Sequence, residues 1–235
     1  MRAMSKGGFR VFTKVERADR QLVERFRKIP TSNINDMMNR LYNTDATIKR
    51  YNPKAGPMAG TAITVRAPLG DNAMFHRALD LAQPGDVVVV DAGGCNERAL
   101  AGEIMMTYSA KKGIAGWVVN GALRDLGGLL ECPMPVYCTG ITPQGPYKNG
   151  PGEINVPVCC GGVVVMPGDI VIGDEDGVVV IRKEDAAAVI DEAEDKLAKE
   201  TVKLERYAKV GLEGDKHQET WIKNLEKLGV TYIED

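Results

Sequence analysis

The stretch from Pro84 to Gly121 limits the folds open to this chain more than any other. PGDVVVVDAGG (84–94) reads as a turn and a buried strand, GEIMMTYSAKKG (102–113) as a helix, and IAGWVVNG (114–121) as a second strand. Lysines in a last helical turn and a glycine just past it are ordinary stop signals, here Lys111, Lys112 and Gly113. A strand, a helix and a strand in succession form the crossover that joins parallel neighbours, nearly always right-handed. GTAITVRAP (60–68) and GDNAMFHRALDLA (70–82) extend the alternation upstream as a further strand and helix. An α/β fold is expected, with the loops after the strands ending near Asp91 and Val119 gathered at one sheet edge. That carboxyl-end edge is where open α/β sheets bind ligands.

The flanks have a different texture. Val15, Leu22, Val23 and Phe26 follow a helical spacing across 14–28, and TSNINDMMNRLYN offers Thr31, Ser32 or Asn33 as the cap of a second, short helix. From 132 onward, short β-branched runs are separated by Pro-Gly and Asp-Gly turns, with no helical stretch between them. Residues 184–209 then read as a long charged helix, and HQETWIKNLEKLG as another helical segment. The expectation is a single domain over 1–235, its core about 31–181, with a helix at 14–28 before it and helices over 184–235 after it. PQGPYKNGPGE (143–153) is the only long loop.

Composition narrows the chemistry. Apolar residues make up 44% and charged residues 26% of 235, enough for a real core. A formal charge of -2 gives no reason to expect nucleic acid or an anionic membrane as partner. No apolar run approaches the roughly 18 residues a bilayer span needs. MRAMSKGGFRVF lacks the apolar core and cleavage site of a signal peptide, so a soluble cytoplasmic protein is expected. The five cysteines show no CxxC, and Cys159 and Cys160, in the apolar run VPVCCGGVVV, are expected to be buried thiols. With only His76 and His217, a histidine metal cluster or a Ser-His triad has little support. His76, beside Arg77, reads as a surface or packed histidine.

The sheet edge carries a more specific pattern. In WVVNGALRDLGGL (117–129), Arg124 stands directly before Asp125. Such a dipeptide is most often a loop-mouth ion pair. Here the crossover brings it beside the start of the helix at Gly102, where free backbone N–H groups and the positive end of the dipole suit a carboxylate. Arg124 offers a planar fork of donors to the same kind of anion. Asp125 and Glu103 are hard oxygen ligands of the type that holds Mg²⁺ or Mn²⁺ partly through water. The residues thus suggest a site for a small carboxylic acid and a divalent cation. Asn72, in the GDN turn, could approach it. Lys111 and Lys112 are poor Schiff-base candidates because a last helical turn favours lysine anyway. GDEDG (173–177) is too short for a calcium loop, and no GxGxxG or Walker pattern appears.

Glu103, twenty intervening residues, then Arg124-Asp125 resembles the acidic-x20-Arg-Asp signature of the class II 4-hydroxy-4-methyl-2-oxoglutarate/4-carboxy-4-hydroxy-2-oxoadipate aldolases. These lie within the wider family that includes the regulator of ribonuclease E activity A. GTAITV, GDN (70–72), PGDVVVVDAGG, GALRDL and VPVCCGGVVVMPGDIVIGDEDGVVV agree, from about Thr31 to Ile181. Glu103 departs from the aspartate usual there by one methylene. The resemblance implies a swivelling β/β/α sandwich-like domain with flanking N- and C-terminal helices, assembled as homotrimers or homohexamers with sites at subunit interfaces. It implies that Asp125 ligates the metal and that a small 2-oxo acid, pyruvate, chelates it. The backbone of Gly102, Glu103, Ile104 and Met105 would hold the substrate carboxylate, and Arg124 would stabilise the enolate. Glu103 would position a proton-shuttling water, and a glutamate from a neighbouring subunit's C-terminal helix, here Glu200, would complete the site. The implied activity is retro-aldol cleavage to pyruvate, with oxaloacetate decarboxylase side activity. The alternative is a non-catalytic regulator of ribonuclease activity acting by protein binding.

Overall fold

The computed structural model describes residues 7–233. Its strands are β1 (Phe9–Val11), β2 (Lys49–Arg50), β3 (Met58–Arg66), β4 (Asp86–Ala99), β5 (Gly116–Leu123), β6 (Val136–Ile141), β7 (Gly152–Ile154), β8 (Val158–Cys160), β9 (Val163–Val165), β10 (Ile170–Gly173) and β11 (Val178–Ile181). Its helices are α1 (Arg20–Phe26), α2 (Thr31–Met37), α3 (Ala73–Leu81), α4 (Glu103–Lys112), α5 (Leu126–Glu131), α6 (Ala186–Val210) and α7 (His217–Lys227). The chain divides into two compact units, one through Glu194 and one from Asp195.

In the first unit, β3, β4, β5 and β6 run parallel side by side, and β2 closes one edge antiparallel to β6. Beyond β3 the sheet forks. Residues 58–61 pair antiparallel with β10, while Val65 and Arg66 pair with β7, whose other neighbour is β1. The alternating side chains of the central strands feed two cores, as a sheet covered on both faces requires. Val88, Val90, Trp117, Val119, Val136 and Cys138 pack with α3, α4 and α5 on one face. Val87, Val89, Val118 and Tyr137 pack on the other with residues of β8 to β11. Helices on one face and β-ribbons on the other give the β/β/α layering. The buried face of α3 presents Phe75 to Trp117, ring to ring at 4.8 Å.

Four local expectations change. The helix expected over 14–28 is confined to Arg20–Phe26, capped by the Asp19 carboxylate, which accepts from Leu22 N at 3.0 Å. Arg17, ahead of it, reaches instead to Asp86 at the foot of β4, 2.8 Å away and 1% exposed. Neither Thr31, Ser32 nor Asn33 caps α2: Pro30 holds that position, and Asp174 from the GDEDG turn takes the Thr31 N–H at 2.8 Å and its hydroxyl at 2.7 Å. AGGCNERA is no free loop but the irregular end of β4, bulged twice against β5, with Gly93 and Gly94 at φ 65° and 71°. Cys159 is exposed, because strand alternation turns it away from the core that holds Cys160. LGGLLE, unassigned from sequence, forms α5.

The second unit holds the rest of α6 and α7, and none of its described residues is buried. No helix among the described residues is long and apolar enough to cross a membrane.

Candidate active site

The loop after β5 makes the sharpest turn near the cavity. Asp125 sits at φ 61° and ψ 53°, a left-handed conformation that aspartate tolerates better than most residues, and α5 starts immediately after it. The turn sends Arg124 and Asp125 back over the N-terminus of α4. Asp125 Oδ2 accepts the Glu103 N–H at 2.9 Å and lies 3.7 Å from Arg124 Nε. Both side chains remain partly exposed, at 44% and 42%. The close approach depends on Gly102. A β-carbon there would collide with the Asp125 carboxylate and lie 3.0 Å from Arg124 Cγ.

Arg124, Asp125, Gly102, Ile104 and Met105 border one cavity of about 320 Å³. Five of the residues expected at the site therefore converge. Glu103 contributes its backbone, but its side chain is exposed, is not among the cavity-lining residues and rests against Gly128 of α5. Glu200 belongs to the second unit, where its carboxylate pairs with Lys196 at 2.7 Å. One of the turn amides expected to hold a substrate carboxylate, Glu103 N–H, is held by Asp125. Met105 and Met106 N–H both point to Gly102 O at 3.1 Å.

The rest of the lining was legible only in Asn72, which the GDN turn was expected to bring near the site. It is built from Asn72 and His76 on α3 and from Gly145, Pro146 and Lys148 of the 143–151 loop. Asp71, 3% exposed, fastens that loop by accepting the N–H groups of Asn149 and Gly150 at 2.8 and 2.9 Å. Arg98 stacks on Tyr147 with its guanidinium 3.9 Å from the ring centre and donates to Gly145 O at 3.0 Å. The available signal was length, since a long loop in a compact domain tends to carry function. Partial burial, and then the charge of Lys148, hold the His76 imidazole below its usual pKa. Arg124 and Lys148 thus face one carboxylate, Asp125, an excess of positive charge that suits an acidic ligand. Among the described residues no three His, Cys, Asp or Glu side chains converge as a metal cage.

Residues 31–180 match the family described as RraA-like, Aldolase/RraA. The chain belongs to this family. A Halalkalibacterium halodurans protein provisionally named 4-hydroxy-4-methyl-2-oxoglutarate aldolase is 41% identical over 184 residues, 78% of this chain and 87% of that one. A Thermus thermophilus protein named 4-hydroxy-4-methyl-2-oxoglutarate aldolase is 38% identical over 123 residues, covering 52% of this chain and 74% of its own. Among solved structures, the RNA-processing inhibitor RraA from Thermus superposes with a TM-score of 0.61 at 33% identity, over 66% of this chain and 93% of that chain. The RraA-like fold is therefore shared by relatives named for two unrelated activities, and the choice between them rests on the site.

Proposed function

We propose that this RraA-like protein is a divalent-metal-dependent aldolase, a carbon–carbon lyase. Its substrate is a 4-hydroxy-2-oxo acid such as 4-hydroxy-4-methyl-2-oxoglutarate or 4-carboxy-4-hydroxy-2-oxoadipate, cleaved to pyruvate and a second carbonyl compound. The observation that carries the reading is the convergence of Arg124 and Asp125 over Gly102 at the mouth of one cavity. The donor set fits Mg²⁺ or Mn²⁺. Asp125 is a half-exposed carboxylate whose orientation is fixed through the Glu103 N–H, and such ions accept one carboxylate while keeping several waters. When bound, the metal supplies Lewis-acid stabilisation of charge developing on the 2-oxo oxygen.

The chain's own residues do the rest. Arg124 and Lys148 draw the acid in, and the α4 N-terminus favours its carboxylate. As the C3–C4 bond breaks, the 4-hydroxyl proton passes to water and the bonding pair moves towards the 2-oxo oxygen. Arg124 stabilises that oxygen with donors already in place, the kind of preorganisation that dominates such steps. C3 then takes a proton from water, releasing pyruvate; the Glu103 side chain, set against Gly128, contributes to the site through its backbone. Glu200 of a neighbouring subunit is proposed to close the site in a homotrimer or homohexamer. Oxaloacetate decarboxylation passes through the same enolate and is the expected side activity.

Pyruvate release from both substrates, with Mg²⁺ and with EDTA, tests the reading. Turnover that EDTA abolishes and metal restores is expected. Full activity in EDTA, or a pyruvate adduct trapped by borohydride, would refute the metal-dependent mechanism. The non-catalytic regulator predicts no pyruvate under any condition.

A further inference from the structure

We propose that Asn72 reads the substrate's hydroxyl: its Oδ1 accepts a hydrogen bond from the 4-hydroxyl of a 4-hydroxy-2-oxo acid as the acid binds, before that proton passes to water. The inference rests on the aldolase reading and assigns a specificity-determining residue to the same site. Asn72 borders the cavity it shares with Arg124 and Asp125, yet is only 2% exposed. Its backbone is fixed on both sides, with N–H donating to Tyr147 O and O accepting from His76 N, each at 3.0 Å. Its side-chain amide is fixed as well. Nδ2 donates to the Leu100 carbonyl at 2.7 Å and lies 3.7 Å from Met105 Sδ. Exchanging the two ends of the amide would bring two acceptors together at Leu100, so the nitrogen belongs on that side. Oδ1 is left buried with no donor among the protein atoms.

A buried acceptor without a donor is rare in folded proteins. This one belongs to a residue that lines the cavity Arg124 and Asp125 also border. With Nδ2 committed, Asn72 can only accept. It favours an O–H at that place and disfavours an oxygen that has no proton to give. A 4-hydroxy-2-oxo acid supplies the proton. Oxaloacetate, whose fourth carbon is a carboxylate, does not. Asn72 therefore separates the two reactions of one site, although both pass through the same enolate.

The test measures kcat/KM of wild type and Asn72→Ala on 4-hydroxy-4-methyl-2-oxoglutarate and on oxaloacetate. The variant is expected to lose about tenfold to a hundredfold on the hydroxy acid, the range for a buried hydrogen bond removed from one side. Oxaloacetate decarboxylation, which offers Oδ1 no proton, should lose at least about fivefold less than the hydroxy acid, or rise. Equal losses on both substrates would mean that Asn72 only supports the fold, and would overturn the inference. A second measurement needs no variant: inhibition of wild type by 4-methyl-2-oxoglutarate, which lacks the hydroxyl. Its Ki is expected at least about tenfold above the KM of the hydroxylated acid, and parity would overturn the inference. Wild type that cleaves the hydroxy acid but shows parity sinks only the role of Asn72. Wild type that releases no pyruvate from it sinks the aldolase reading and this inference together.

Discussion

Asp125 does two jobs at once in this site. Its left-handed backbone turns the chain from β5 into α5, and its carboxylate ties down the first N–H of α4. Replacing it by alanine therefore removes a cap and places a residue without local hydrogen bonding in a left-handed conformation, at a cost of about 1 kcal/mol in stability. Asp125→Asn keeps the backbone preference and an acceptor while removing the charge that a metal needs. Metal-dependent turnover should vanish in both variants, and only the alanine should lower the melting temperature. Arg124 carries no such structural duty. Arg124→Ala should leave metal binding and melting nearly unchanged and reduce kcat by about 10²–10³, the usual loss for one preorganised donor to an oxyanion. Arg124→Lys should restore part of the rate, because an ammonium lacks the planar fork. Steady-state kinetics with metal titration, beside melting curves, checks all four. Near-normal rates with small, symmetric stability losses would identify the pair as a loop-mouth ion pair instead.

Strand β4 organises the first unit, and its two ends do different work. At its foot Asp86 accepts from Arg17 Nε and Nη2 at 2.9 and 2.8 Å and from Gln83 N at 2.7 Å. Removing Arg17 leaves a buried carboxylate with one backbone donor, a change that typically costs about 3 kcal/mol. Urea unfolding of Arg17→Ala should show that loss, and a shift below about 0.5 kcal/mol, as at an ordinary surface site, would contradict it. At its far end β4 bulges twice against β5 and delivers Ala101 and Gly102 to the cavity. Arg17 lies far in sequence from every cavity residue, so its loss should lower stability while kcat at moderate temperature holds.

At the scale of the whole molecule, the apolar surface from Asp195 onward asks for a partner. Trp221, Ile222 and Leu225 of α7 and Leu228, which caps its C-terminus, follow a helical spacing and are 54%, 46%, 42% and 84% exposed. A helix with this pattern normally buries its apolar stripe. Contiguous apolar surface of this kind marks an interface, and the proposed homotrimer or homohexamer supplies one from further copies of the chain. Light scattering at micromolar concentration is expected to give the mass of a trimer or its double, and a chain truncated after Val210 should assemble less well. A monomer at that concentration would refute it.

Sequence alone determined the parallel centre of the sheet, because strands apolar on both faces separated by a helix with ordinary stop signals have few other packings. It also placed Arg124 and Asp125 at the carboxyl-end edge of the sheet beside the start of α4, since consecutive crossovers bring their loops to the same side. Local signals failed where a distant partner decided the outcome. Val15 to Phe26 keep a helical spacing, but the pull of buried Asp86 on Arg17 leaves only Arg20–Phe26 helical. Thr31 is a good cap by type, yet its N–H and hydroxyl go to Asp174, 143 residues away. Glu103 was assigned by its spacing to Arg124, and only the tertiary structure set its side chain against Gly128 and outside the cavity lining. Asn72 was expected to approach the site from its GDN turn, but the wall that His76 and Lys148 form with it could not be read from local pattern, because Asp71 and Arg98 bring it into place through contacts between segments far apart in the chain. Periodicity reports which face of an element meets the core. Which loops meet one another is fixed by long-range hydrogen bonds and close packing, and these exist only in the folded chain.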